Sequence, residues 1–326
     1  MLKSLMGAMS PGGANGRLTI LLFHRVLALP DPLFPDEVDA KRFDAICSWL
    51  ATWFNVLPLD EAVRSLRDGA LPRRAAAITF DDGYADNHDI ALPILCRHRL
   101  PATFFVATGF LDGGRMFNDS VIESIRRSTL SALDLRDTEL ATLGRLSLDG
   151  LADRRRAIDL LLRSIKYLPN HQRDAATGMI AKRAGVALPG DLMMTRQKVC
   201  ALRHAGMQIG AHTVTHPILA GMDAAAARQE IVQSKRDLES ILGERVSLFA
   251  YPNGKPAEDY SHESVDLARE AGFDAAVSTS WGAARRSGDL FQLPRFTPWD
   301  RSRWRFGMRL ARNLGARPAQ ALPRPE

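Results

Sequence analysis

At 326 residues, 46% hydrophobic and 25% charged, the chain has the make-up of a globular protein with enough apolar sequence for a large core. Its net charge of +6 is concentrated at one end: residues 301–326 hold seven arginines against a single acid, Glu326, a balance equal to that of the whole chain. The body is therefore close to neutral, which excludes an extended phosphate-binding surface and with it a nucleic-acid partner.

Residues 1–16 contain one lysine and an apolar stretch broken by serine, glycine and proline. That is too short for a secretory apolar region, and the segment is expected to be flexible. No run approaches the roughly 20 apolar residues that span a bilayer. Residues 17–29 read as a buried strand that breaks near His24. A helix follows at about 40–54, with Phe43, Ile46, Cys47, Leu50 and Phe54 at helical spacing. A second helix covers about 59–68 and stops at Gly69. AAAITF (75–80) is a short apolar strand, 85–98 reads as a helix, and PATFFVAT (101–108) is the next strand.

From about 112 to 195 the chain turns leucine-rich and charged, as in LADRRRAIDLLLRSIKYL (151–168), and predicts a mostly helical insertion with no convincing strand. Beyond it come a helix near 195–205 and the strand MQIGAHT (207–213). A helix at 223–242, the strand VSLFAYP (246–252), a helix at 261–271 and the strand FDAAVST (273–279) complete the run. Strand and helix alternating around glycine-marked turns predict an α/β fold with a parallel sheet, open or closed into a barrel. In such folds the chemistry collects at the C-terminal ends of the strands. The organisation expected is a flexible 1–16, a domain over 17–300 carrying the insertion, and a basic tail over 301–326. Cys47, Cys96 and Cys200 include no C-x-x-C pair, which fits packing roles in a reducing compartment, so the expected location is the cytoplasm.

Two motifs fall at predicted strand ends. Asp81 and Asp82, followed by Gly83, close the strand 75–80; on a regular strand they would point to opposite faces, but a turn lets both carboxylates converge. One carboxylate can then be held ionised by a cation while the other accepts protons. The same three residues are also the make-up of a solvated turn. His212 and His216, four apart at the end of 207–213, share a face if the segment makes a helical turn. With one carboxylate they form a set suited to zinc and similar divalent ions, with positions left for water and substrate. Unrelated histidines, one of them filling the core, would read the same way.

The combination TFDDG and, downstream, HTVTH resembles the first two motifs of the polysaccharide deacetylases, carbohydrate esterase family 4. FDDGYADN, ATFFVATGFL, AGMQIGAHTVTHPIL and LFAYPNG are similar to that family as well, over about 18–112 and 190–300. The resemblance implies a distorted (β/α) barrel of about seven parallel strands and a divalent metal, zinc first. It implies Asp81 as catalytic base and Asp82, His212 and His216 as metal ligands. Tyr251, Pro252 and Asn253 correspond to the motif that lines the pocket, with the Asn253 backbone N–H as oxyanion donor. That motif commonly holds an arginine and a tyrosine where this chain has Ala250 and Asn253. Arg295, in LPRFTP, is the candidate to replace the missing arginine and orient the base. Many members supply the general acid from a C-terminal histidine, yet no histidine follows His262. LLFHRV (21–26) is similar instead to an N-terminal segment of members acting on exopolysaccharides such as poly-N-acetylglucosamine, which makes His24 the candidate acid.

The implied activity is hydrolysis of an N-acetyl group on an amino sugar, in a poly- or oligosaccharide or a glycan precursor. Two rival readings are a cyclic amide or ureide hydrolase of the same fold and a catalytically silent glycan-binding protein. Trp281, Trp299, Asn118 and Asp119 are further candidates to touch a sugar, whereas Phe104, Phe105 and Phe249 read as core. His88, His98, His171, His204 and His262 lack partners at ligand spacing and read as structural or solvent-facing. The tail, which mixes arginines with Trp304, Phe306 and Met308, is expected either to pack on the barrel or to rest on anionic lipid at the inner membrane face. Oligomeric state is left open.

Overall fold

The computed structural model describes residues 2–316 and 322. Among them are nine strands: β1 (Thr19–Phe23), β2 (Asn55–Val56), β3 (Ala75–Phe80), β4 (Thr103–Val106), β5 (Ala132–Asp134), β6 (Arg145–Ser147), β7 (Gln208–Ala211), β8 (Leu248–Ala250) and β9 (Ala275–Val277). Seven form one parallel sheet in the order β1-β3-β4-β7-β8-β9, with β2 against the first residues of β3. The sheet curls into a distorted (β/α) barrel. Its ends are joined by residues 293–296, which make single parallel bridges to β9 (Val277 with Leu293) and to β1 (Leu21 with Phe296). Backbone bonds of 2.9 Å from Leu22 N to Phe296 O and 2.7 Å from Phe296 N to Ile20 O secure the closure.

Strand side chains alternate with period two, and two apolar clusters record it. Ala75, Ala77, Phe105, Leu248, Ala250, Val277 and Leu293 belong to an inner set. Ala76, Ile78, Phe80, Phe104, Val106 and Phe249 pack outward against the surrounding helices. Small alanines inside β3 leave the interior room for Phe105. Following the inner row of β3 beyond Ala77 leads to Thr79 and then Asp81; following it from Leu293 leads to Arg295. Period two alone thus brings both charged residues to the inside of the barrel at one end.

The helices mostly lie where periodicity puts them, at Ala40–Trp53, Leu59–Asp68, Arg196–His204, Ala224–Leu242 and His262–Glu270. Asp39, Thr195, Asp223 and Ser261 each cap one through a side-chain oxygen accepting a backbone N–H. The predicted helix at 85–98 contains a π-helical turn over Asn87–Ala91 before Leu92–His98; Pro93 has no N–H to continue a regular ladder there. Residues 1–16, expected to be flexible, contain a helix at Leu2–Met9 whose Met6 is fully buried.

Residues 113–193, together with 30–35, form a second compact unit. Its helices are Phe117–Arg127, Leu151–Ile165 and Asn170–Ala184, around a core that includes Leu33, Ile125, Leu161 and Ile180. The helical expectation missed a two-stranded antiparallel pair, β5 with β6. Three residues per strand is too short for a period-two signal. Arg126 ties Asp31 to this unit with two bonds, of 2.9 and 2.7 Å.

Candidate metal centre

Asp81 and Asp82 follow β3 directly. The chain turns there with φ of +76° at Asp82 and +89° at Gly83, which swings the second carboxylate to the side of the first. Only glycine suits the latter position, because a Cβ on Gly83 would come within 3.0 Å of the Val106 side chain. His212 leaves the end of β7, and the chain after it folds back with φ of +63° at Thr213 and +54° at His216. A β-branched residue at positive φ is strained, and such backbone persists where surrounding bonds over-determine it.

The bonds are present. The Glu230 carboxylate, on helix Ala224–Leu242, accepts Val214 N–H and Thr215 N–H at 2.8 Å each and the Thr215 hydroxyl at 2.7 Å. Thr213 Oγ1 accepts the His216 N–H at 3.2 Å.

Together these turns bring Asp82, His212 and His216 into one cluster whose candidate ligand atoms all lie within 4.8 Å of one another. Asp82 Oδ1 is 3.4 Å from His212 Nε2 and 3.5 Å from His216 Nε2. The set fits a divalent cation chemically. His212 Nδ1–H donates to the Ala250 carbonyl at 2.8 Å, which orients the ring and turns Nε2 toward the cluster. Burial pushes the His216 imidazole down to about 4, so it stays neutral and able to ligate. Burial would raise the Asp82 carboxyl, but the hydrogen bond from His212 and the charges of His24, His216 and His212 hold it well below the usual range. His212 is moved upward: burial opposes its charge, and the Asp81 and Asp82 carboxylates more than offset that. The buried Asp82 carboxylate calls for positive charge in this cluster, which a divalent cation would supply.

Asp81 lies beside the cluster in a different setting. The Arg295 fork grips it with Nη1 to Oδ1 and Nη2 to Oδ2, both 2.7 Å, and neither side chain is more than 3% exposed. Arg295 is itself aimed by Nε to the Ser278 carbonyl at 2.8 Å and Nη1 to Thr79 Oγ1 at 3.3 Å. Burial raises the Asp81 carboxyl, while the charges of Arg295 and His212 and the bond from Arg295 bring it below its ordinary value. The carboxylate is ionised, oriented and adjacent to the ligand set.

His24 follows β1 at the same barrel end and is exposed. Its charge is felt by Asp81, Asp82 and His216. The loop carrying it is pinned from behind: Asn87 Nδ2 donates to the His24 carbonyl at 2.8 Å. Asp86 accepts Arg25 Nε at 2.8 Å and Val26 N–H at 3.1 Å. Asn253 adopts φ of +57° on the turn after β8, and its N–H has no hydrogen-bond partner among the described residues. Pro252 before it is buried and has no N–H to offer.

Tyr251 does not join the pocket. Its ring is fully buried, stacked on Tyr260 at 4.1 Å and edge-on to Phe249 at 5.2 Å. Alternation along β8 turns it outward into the helix-facing cluster, opposite to Ala250.

Among the other candidates, Trp281 is half-buried, Trp299 is 60% exposed, and Asn118 and Asp119 belong to the second compact unit. His88 and His98 pair with Asp89 and Asp44 at 2.8 Å. Sequence reasoning missed Glu230, Asp86 and Asn87. Glu230 sits mid-helix, 14 residues beyond His216, with nothing local to distinguish it from a solvated helix face. Asp86 and Asn87 lie inside the recognised phrase FDDGYADN, where their spacing from Asp82 held the clue.

Comparison with known proteins points to one family and fold. The model of a family described as polysaccharide deacetylase matches residues 68–130 and 163–276, more than half of the chain. The chain is 20% identical over 281 residues to YxkH of Bacillus subtilis, named for the same family; this covers 86% of the chain and 70% of that protein. It is 25% identical over 177 residues to the poly-beta-1,6-N-acetyl-D-glucosamine N-deacetylase of Staphylococcus aureus, covering 53% of the chain and 60% of that enzyme. In fold it is similar to IcaB from Ammonifex degensii (TM-score 0.59, 18% identity, 94% of this chain and 99% of that one). It is also similar to the Streptococcus pyogenes deacetylase PplD, solved with acetate (TM-score 0.57, 19% identity, 86% and 92%).

Proposed function

The chain belongs to the polysaccharide deacetylase family, and from that premise we propose that it is a metal-dependent hydrolase removing the N-acetyl group of an amino sugar in a poly- or oligosaccharide or glycan precursor. One observation carries the reading: a buried carboxylate, Asp81, clamped in the Arg295 fork directly beside the Asp82–His212–His216 set. A pure glycan binder has no use for an oriented base next to such a set.

Asp82, His212 and His216 would hold the cation, zinc by the chemistry of the donors. When bound, such a cation supplies Lewis acidity to a carbonyl oxygen and makes water more acidic. Asp81 accepts the proton of the attacking water; its two oxygens already engage Arg295, so the incoming proton meets a carboxylate that cannot rotate. The unpartnered Asn253 N–H donates to the developing oxyanion. His24, when protonated, transfers its proton to the departing amine, and acetate and the free amino sugar result. The likeness to a poly-N-acetylglucosamine deacetylase supports an acetylated glucosamine polymer or oligomer as substrate.

The test is acetate release from N-acetylated glucosamine oligosaccharides, with and without chelator. Release abolished by chelation and restored by zinc is expected. Ring opening of a ureide without acetate release, or glycan binding without turnover, would overturn the proposal.

A further inference from the structure

The two terminal helices, Leu2–Met9 and Arg303–Gly315, contain Lys3 and four arginines and not one Asp or Glu. They pack side by side at close range. A Cβ on Gly307 would come within 2.7 Å of the Leu2 side chain, so glycine permits the approach. Their inner faces join the core through Met6, Phe306, Leu310 and Leu314, each fully buried. Their outer faces do not follow the usual polar pattern. Leu5 is 42% exposed, Trp304 54% and Met308 43%. Trp304 and Met308 stand one helical turn apart, and Lys3, Arg305 and Arg312 are exposed around them. Arg305 and Arg312 pair with no carboxylate among the described residues. The result is an acid-free face that mixes cations with apolar side chains.

Charge and apolarity together decide the partner. A nucleic acid would use the cations and leave Leu5, Trp304 and Met308 without a role. A protein partner would need acids and an apolar patch in matching positions. An anionic bilayer surface uses every element: arginine and lysine meet phosphates, each worth about 1 kcal/mol near the membrane, while the apolar side chains enter the headgroup–acyl boundary. Tryptophan favours that boundary because its ring is apolar and its N–H polar.

One end of the face lies near the site. Residues 293–296 run parallel to β1 and β9, so Thr297–Asp300 leave the barrel at the end where Asp81, His212 and Asn253 emerge. Helix Arg303–Gly315 starts there, with the exposed Trp299 ring under the Arg309 guanidinium at 4.0 Å.

We propose that the paired terminal helices dock this protein on an anionic phospholipid surface. The docked face begins near the strand ends that carry the site and runs back along the barrel to its other end, where Arg17 donates to the Leu314 carbonyl. The binding itself is independent of the activity proposed above; only the presentation of a lipid-linked glycan to the site rests on it.

The experiment is flotation of the full chain with vesicles of phosphatidylcholine alone or mixed with phosphatidylglycerol, at low and high salt. Thermal melts and acetate release from a soluble oligosaccharide serve as controls. Wild type should float with the anionic vesicles only and be released by salt. R305S/R312S should partition about 30-fold more weakly, from two lost lipid contacts. W304S/M308S should weaken binding while keeping its salt dependence. Both variants should melt and turn over soluble substrate as wild type does. Three results would overturn the proposal: equal partition into both vesicle types, undiminished binding by R305S/R312S, or a dimer dispersed by W304S/M308S in a chain that ignores vesicles. Loss of acetate release with vesicle binding intact would count against the enzymatic reading instead.

Discussion

Replacing Arg295 with methionine keeps much of its volume and removes the fork. Asp81 then stays buried with its charge and loses both 2.7 Å bonds. Removing one partner of a buried pair costs about 3–5 kcal/mol, a large share of a typical stability of about 5–15 kcal/mol. At roughly 2–4 °C per kcal/mol for larger domains, Tm should fall by about 10 °C. The sign of the pH effect follows from Asp81 being held below its ordinary value. The pair's contribution is complete above the unfolded carboxyl value of about 3.9 and is lost as pH falls through the folded value. In the variant burial is no longer offset by Arg295, so the carboxyl rises and the acidic limb of kcat/KM moves to higher pH. A base displaced by about 1 Å can cost about 10²-fold, so kcat/KM for acetate release should drop by about that factor at neutral pH, with KM less affected. R295K, which keeps the charge but not the planar fork, should fall between. D81N/R295M should be more stable than the sum of its single changes, because no unpaired charge is left buried. An R295M protein with wild-type kcat/KM and an unmoved acidic limb would refute the assignment of Arg295 as the group that orients the base.

Four further outcomes follow from the site. His24→Ala should bind zinc as wild type does, measured by chelator competition, and lose about 10²–10⁴-fold in kcat; wild-type turnover would remove it from the mechanism. Asp82→Ala and His216→Ala should fail to retain metal in elemental analysis of the purified protein. Zinc at about 100 times its Kd should stabilise wild type by about 2.7 kcal/mol in thermal melts and leave those two variants unmoved. Glu230→Ala frees the strained turn between His212 and His216; metal affinity should weaken by about 10–100-fold, with Glu230→Gln, which retains an acceptor oxygen, less affected.

How much of this could be read in the sequence depended on range. The barrel strands were legible because AAAITF and PATFFVAT are short apolar runs bounded by turns, and the grouping of Asp82, His212 and His216 because both motifs sit at strand ends. Arg295 was legible as a basic residue after the last predicted strand and as the candidate to orient Asp81, but the geometry was not; only the ring closure puts its fork opposite that carboxylate. Tyr251 was misplaced because motif membership says nothing of which face of β8 a side chain takes, whereas alternation from Ala250 does. The helix at Leu2–Met9 looked flexible because its stability comes from burying Met6 and from contact with residues some 300 positions away, which local periodicity cannot register. Glu230 reaches its partners only through the packing of its helix on β7.

The strap over residues 293–296 has a bearing on biosynthesis. During translation Asp81, Asp82, His212 and His216 all leave the ribosome before Leu293 does. A nascent chain can therefore assemble most of the sheet while the Asp81 carboxylate still lacks its counter-charge. Joining the first strand to the last then completes the cylinder and orients Asp81 in the same event. The Asp81–Arg295 pair is thus a readout of topological completion, formed only once the last part of the barrel has been synthesised.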